Sequence, residues 1–245
     1  IIKKHAPEFP NVKFAIIDTV VNEPNVMSVV FAQNEGSFLA GAAAALFTQK
    51  TDIPNVNPEK TIGWVGGMDI PVLQDFLTGY KQGAAYIDPE TKVLVSFAGT
   101  FNDPLKGKEL ALAQYSQGAD IIMNVASNTG NGVLEAAKDS NKYAIGVDIN
   151  QDDIYPGFIF TSMLKRVDVG TYEVIKSVVE DKFKGGEILK MDVANGGIGL
   201  TDMSVMKKAL GDKFPEDILT RIGELTEKIK SGEIKVESYP GFKFE

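Results

Sequence analysis

Short apolar runs and longer amphipathic stretches alternate along the chain. The first apolar run, at 13–18, reads Lys-Phe-Ala-Ile-Ile-Asp and ends on a carboxylate. A second, at 61–67, closes on a pair of glycines, and others follow at 92–97, 120–124, 143–148 and 158–163. Between them apolar positions recur at three- and four-residue spacing, the period of an amphipathic helix. Helices are predicted over 34–49, over 72–86 with Leu73, Phe76, Leu77 and Tyr80 on one side, from Asp103 to about 117, over about 132–139, over 167–183 with Val174, Ile175, Val178 and Val179 on the apolar side, and over 215–231. The opening Ile1-Ile-Lys-Lys-His reads as the tail of a helix. Asp103-Pro104 is a favourable helix start, because Asp accepts from free first-turn amides and Pro there forfeits no hydrogen bond.

Apolar strands without alternation, separated by helices, predict an α/β fold whose parallel sheet is covered on both faces. In such sheets a ligand crevice lies at the carboxyl ends of the strands. That rule selects Asp18, the segments 66–69, 98–101 and 124–131, Asp148 and the segment 163–166.

Composition narrows the classes. The 245 residues suit one large domain or two lobes. A net charge of −8, from 25 Lys and Arg against 33 Asp and Glu, disfavours nucleic acid and anionic membrane surfaces as partners. The absence of Cys removes thiol catalysis, zinc–thiolate sites and disulfides, and leaves the compartment open. The one histidine, His5, lies beside Pro7 and Pro10 and reads as an exposed loop residue, not a triad member or metal ligand. The longest apolar run, 38–47, falls well short of the roughly 20 residues that span a bilayer and reads as a buried helix. No signal peptide is present, as in a mature, trimmed or cytoplasmic chain.

Glycine patterns give no phosphate cradle. Gly63-Trp-Val-Gly-Gly67 lacks both the dinucleotide fingerprint and a Gly-Lys-Ser/Thr ending. Gly130-Asn-Gly132 precedes a helix and offers only a weak anion site, and Gly196-Gly-Ile-Gly199 reads as a tight turn. Asp152-Asp153 and Glu35 lack the spacing of a calcium loop. No cofactor or metal is expected, and nothing supports Asp18 and Asp148 as a catalytic acid–base pair, so no enzyme is expected.

The residues at the strand ends suit a sugar-bearing heterocycle. A carboxylate (Asp18, Asp148) accepts two hydrogen bonds from a vicinal diol, and Phe101 offers a stacking face. Asn124, Asn128 and Asn131 carry mixed donor and acceptor edges, and Lys165 is a donor. Each has a structural alternative. The two aspartates suit caps of following helices, Ser-Asn-Thr-Gly-Asn-Gly at 127–132 is a string of turn-formers, and Lys165-Arg166 suits a surface helix start.

Four segments carry a resemblance: 31–42 (Phe-Ala-Gln-Asn-Glu-Gly-Ser-Phe-Leu-Ala-Gly-Ala), 62–68 (Ile-Gly-Trp-Val-Gly-Gly-Met), 97–108 (Phe-Ala-Gly-Thr-Phe-Asn-Asp-Pro-Leu-Lys-Gly-Lys) and 161–165 (Thr-Ser-Met-Leu-Lys). In this order they resemble the basic membrane protein family, whose best understood members are purine nucleoside receptors of bacterial ABC importers. The resemblance implies a two-lobed periplasmic-binding-protein fold of the sugar-binding type, with 1–32 in lobe one, 33–152 as lobe two and 153–245 returning to lobe one with the C-terminal helix region. It implies capture of a purine nucleoside (inosine, guanosine or adenosine class) by cleft closure, and delivery to an ABC permease. The location would be extracytoplasmic, in the periplasm or as a lipoprotein anchored to the outer face of the cell membrane. Asp18, Phe101, Asp148 and Lys165 match ligand-binding positions, and the 127–131 segment with Asn128 and Gly130 matches a pocket-lining loop more loosely. The departure is at the front, where roughly three strands of lobe one and a second stacking aromatic are expected but not found. That implies a missing N-terminal segment or a companion chain, and exposed apolar faces on an incomplete lobe. An effector domain of a transcription regulator shares this fold and is the alternative; a nucleoside hydrolase is more remote.

Overall fold

The computed structural model describes residues 1–242. Its strands are β1 (Phe14–Ile17), β2 (Val26–Phe31), β3 (Thr61–Gly66), β4 (Lys92–Phe97), β5 (Ala119–Val125), β6 (Tyr143–Asp148), β7 (Ile159–Lys165), β8 (Ile188–Met191) and β9 (Ile198–Leu200). Its α-helices are α1 (Ile2–His5), α2 (Gln33–Phe47), α3 (Pro71–Ile87), α4 (Pro104–Ser116), α5 (Asn128–Asp139), α6 (Val167–Val179), α7 (Ser204–Leu210) and α8 (Glu216–Lys230).

Two sheets result. A three-stranded parallel sheet runs β1-β2-β8, and a six-stranded sheet runs β4-β3-β5-β6-β7-β9, parallel except for β9 against β7. The segment 153–245 therefore does not simply return to the first sheet. Its β7 pairs with β6, Val147 opposite Met163, and carries β9 with it, while β8 joins the three-stranded sheet.

Alternate residues of the central strands feed two cores. Ile62, Trp64, Ile121 and Met123 face one, with α2 and α3; Val65 and Ile122 face the other, with residues of α4 and α5. After a polar first turn, helix α2 is apolar all round from Phe38 on, as its burial requires, with Glu35 and Leu46 only partly covered. It meets α3 along a glycine seam. A Cβ at Gly41 would strike the Tyr80 backbone, one at Gly79 that of Asn34, and one at Gly83 that of Phe38. Helix α6 covers the three-stranded sheet through Gly170, which sits over Val29. The expected apolar side of α6 is only partly used: Val174 is buried, while Ile175 and Val179 are 57% and 79% exposed. The helix also ends at Val179, short of the expected 183.

Crossings between the sheets have matched geometry. Between β2 and α2, Ala32 adopts φ −81, ψ 60; between β7 and α6, Arg166 adopts φ −77, ψ 62. The Ala32 N–H donates to Met191 O and the Arg166 N–H to Gly197 O, both at 2.9 Å, so both residues are tied to the β8–β9 connection.

A C-terminal strap lies across α2 and α3. Asn34 Nδ2 donates to Val236 O (2.9 Å), and the Gln82 side chain pairs with both backbone groups of Glu237 (2.8 and 3.0 Å). Asp75, 1% exposed, accepts from Tyr239 N and Gln33 Nε2, both at 2.7 Å. Burial pushes its carboxyl up to about 6, against the lowering effect of those bonds. The unfolded value lies near 3.8. The folded state thus holds the extra proton between the two, and this stabilisation is complete below about pH 4 and lost as pH rises through 6. Relative to Asp75→Asn, the wild type should lose roughly 3 kcal/mol between pH 4 and 7, a shift of about two pH units converted at 1.36 kcal/mol each. Paired urea titrations check this; parallel pH profiles for the two proteins would refute it.

Candidate functional site

The carboxyl ends of β1, β6 and β7 converge, as the crevice rule requires. Asp18 follows β1, Asp148 ends β6 and Lys165 ends β7. Lys165 Nζ donates to Asp18 Oδ2 at 2.6 Å and lies over the rings of Phe31 (5.1 Å) and Phe76 (5.6 Å). Two aromatic faces and a carboxylate thus hold a lysine that is 8% exposed. The other Asp18 oxygen, Oδ1, is buried and has no hydrogen-bond partner, leaving an acceptor for a donor from the cleft.

Asp148 touches solvent, yet the protein packed around it withholds much of its hydration. That desolvation raises its carboxyl pKa; Lys165 opposes the shift and Asp18 adds to it. Neither aspartate caps a helix, contrary to one reading of the sequence. Asp18 leads toward β2 and Asp148 toward β7, and both have left-handed backbones, φ 59 and 67. Around Asp148 the Ile149 N–H donates to Val147 O at 2.8 Å. This closes a γ-turn on a positive-φ residue, a rare conformation costing on the order of 1–3 kcal/mol.

Two cleft compartments share these three side chains. One, of about 550 Å³, extends past Ile149, Asn150, Arg166 and Asp168. The other, of about 210 Å³, runs under Phe101 and is floored by apolar groups including Val72 and Phe76. Phe101 is 37% exposed, and its ring lies where a side chain at Gly67 would be. Thr129, fully buried, fixes its loop: its N–H donates to Phe101 O (3.1 Å), its Oγ1 donates to Thr100 O (3.2 Å) and accepts from Asp103 N (2.9 Å). Asp103 caps α4 by accepting from Lys106 N at 3.0 Å, as its sequence predicts.

Asp18, Phe101, Asp148 and Lys165 are brought together. Asn128 and Gly130 are not. They sit in the first turn of α5, which starts four residues before the predicted 132, and line neither compartment. Asn128 bonds to Asn102 and Asn131, while Gly130 packs on Asn124. Their neighbour Ser127, at φ 51, lines the Phe101 compartment instead. Phe76 was legible only as the apolar face of a helix, and Ile149 and Asn150 carried no sequence signal. Among the described residues no cluster of acidic or histidine side chains suits a metal ion, and no helix is long and apolar enough to cross a membrane.

Residues 1–239 match the family described as PnrA-like ABC transporter substrate-binding proteins. The chain belongs to that family. A CD4+ T-cell-stimulating antigen of Listeria monocytogenes is 30% identical over 98% of this chain and 67% of its own length. The ABC transporter nucleoside-binding protein BmpA of Lactococcus lactis is 34% identical over 78% of this chain and 57% of its own length. An ABC transporter solute-binding protein from Aeropyrum pernix has a solved structure that superposes with a TM-score of 0.87, at 31% identity over 98% of this chain and 74% of that one. The chain therefore spans about two thirds of the length of such curated relatives. This PnrA-like chain has the periplasmic-binding-protein fold expected from its sequence, and its family is one of solute-binding proteins, not enzymes.

Proposed function

We propose that the cleft captures a purine nucleoside for an ABC importer, on the outer side of the cell membrane. The observation that carries this reading is one cleft wall holding an accessible aromatic face, Phe101, beside the Asp18–Lys165–Asp148 row. A flat base stacks on Phe101. Ribose hydroxyls donate to the free Asp18 Oδ1 and to Asp148, and Lys165 donates to a ligand oxygen or holds the Asp18 carboxylate in place. The nucleoside-binding name of the Lactococcus relative and the naming of archaeal relatives as lipoproteins support the ligand class and the location. Asp18 and Asp148 lie on different sheets, so a ligand bridging them favours the closed arrangement by the contacts it gains there. An ABC permease is the partner that would accept the ligand.

Calorimetry with inosine, guanosine, adenosine, uridine and free ribose tests the reading. At least one purine nucleoside should bind with Kd of about 10 µM or tighter, and ribose should bind at least about 100-fold more weakly, the loss expected when the stacked base is removed. No binding of any purine nucleoside, or equal binding of ribose, overturns it.

A further inference from the structure

The γ-turn at Asp148 is a strained conformation at a residue that faces the cleft, and such a conformation persists only when its surroundings hold it. The holding contacts lie directly beneath it, in a buried polar cluster that the nucleoside reading does not use. Gln151 Oε1 accepts from Val147 N at 2.9 Å and from Asn124 Nδ2 at 3.3 Å. Asn124 Nδ2 also donates to Ile145 O at 3.1 Å, tying the cluster to β6. The Gln151 N–H donates to Ser162 Oγ (3.0 Å), and Ser162 Oγ donates to Asp152 Oδ1 (2.6 Å), tying it to β7. Gln151, Asp152, Asn124 and Ser162 are all 8% exposed or less. Gly146 makes room for the cluster, since a Cβ there would overlap Ser162 Oγ and crowd Gln151.

We propose that Gln151, seated between Asn124 and Ser162, is the positioning residue that holds Asp148 in its γ-turn and so sets nucleoside affinity and selectivity for the ribose. Gln151 lines neither cleft compartment. It fills the turn from below, ending the Val147 N–H that would otherwise be unpaired, and anchors the chain three residues beyond Asp148. The inference rests on the cleft reading above.

The test uses the full chain in four forms: wild type, Gln151→Met, Asp148→Ala and the double variant. The titrant is the purine nucleoside the wild type binds most tightly, and amide NMR shifts of residues 147–149 are recorded without ligand. Gln151→Met should shift those resonances and weaken binding about 5- to 20-fold, the scale of one misdirected charged hydrogen bond. In the Asp148→Ala background the same substitution should change affinity less than about twofold. Equal weakening in both backgrounds would show general structural damage and overturn the proposal, as would unmoved resonances. If Gln151→Met does not fold, Ser162→Ala interrupts the same chain of bonds and takes its place in the cycle. If the resonances move but no nucleoside binds the wild type, the nucleoside reading fails while the hold on Asp148 stands; wild-type affinity in Asp148→Ala removes Asp148 from the ligand contacts and overturns the inference.

Discussion

Phe101→Ala should weaken purine nucleoside binding by about 10- to 100-fold, the range of one lost base–aromatic stack of roughly 1–3 kcal/mol. Its melting temperature should stay within about 2 °C of wild type. The two effects separate because Phe101 is 37% exposed, with its ring beside Gly67 and outside the buried clusters. Removing it deletes the proposed stacking surface and leaves little cavity. Its loop should survive, since Thr129 holds that loop through backbone atoms of Thr100, Phe101 and Asp103. Phe101→Tyr keeps the stacking face and should bind within about threefold of wild type. A Phe101→Ala protein with wild-type affinity in calorimetry would remove the aromatic wall from the proposed site.

Gly83→Val should be severely damaging although it lies away from the cleft. A Cβ at this position would overlap the Phe38 carbonyl, and that atom belongs to a buried helix backbone that cannot swing aside. Gly79 and Gly41 make the equivalent contacts on either side, so separating the helices at one point strains the whole α2–α3 seam. Overpacking of this kind costs about 3 kcal/mol or more, which in a chain of this size lowers Tm by roughly 6–12 °C. Gly223 in α8 is the control, because no atom lies within 4 Å of a Cβ there. Gly223→Ala should raise stability by about 0.5–1 kcal/mol through helix propensity. Thermal melts that showed Gly83→Val and Gly223→Ala shifting alike would refute the seam.

Most of the six-stranded sheet was legible in the sequence, because β3, β5, β6 and β7 are buried runs flanked by clear helical periodicity. The first sheet was less so. β2 is buried at every position, including Ser28, and followed a polar Asn-Glu-Pro-Asn stretch without an alternation to mark it. β8 and β9 span four and three residues, too short for a pattern. The early start of α5 was hidden by Ser-Asn-Thr-Gly-Asn-Gly, whose residues favour turns. Tertiary packing overrides that preference, since α4 and α5 meet through Gly107 and Gly132 at backbone contact. The same contact turns Asn128 and Gly130 from cleft residues into helix residues. Asp18, Phe101, Asp148 and Lys165 were legible because each stands at the carboxyl end of a strand or in the loop that follows one. Their mutual arrangement was not, because it comes from strand pairing and from the Lys165–Asp18 bond, which join residues far apart in the chain.

The paired crossings at Ala32 and Arg166 give the molecule a pivot. Both residues sit in nearly the same dihedral basin, and both are tethered through their N–H groups to the ends of the β8–β9 connection. Each tether lies within one sheet, Ala32 to Met191 across β2 and β8 and Arg166 to Gly197 across β7 and β9, so each fixes its crossing to its own sheet and leaves the sheets free to move relative to one another. The 192–197 segment from β8 to β9 is a third crossing, so rotation of one sheet against the other asks for coordinated torsion changes at all three. A change in the separation of Asp18 and Asp148 would then have to pass through three short backbone segments that lie far apart in the chain.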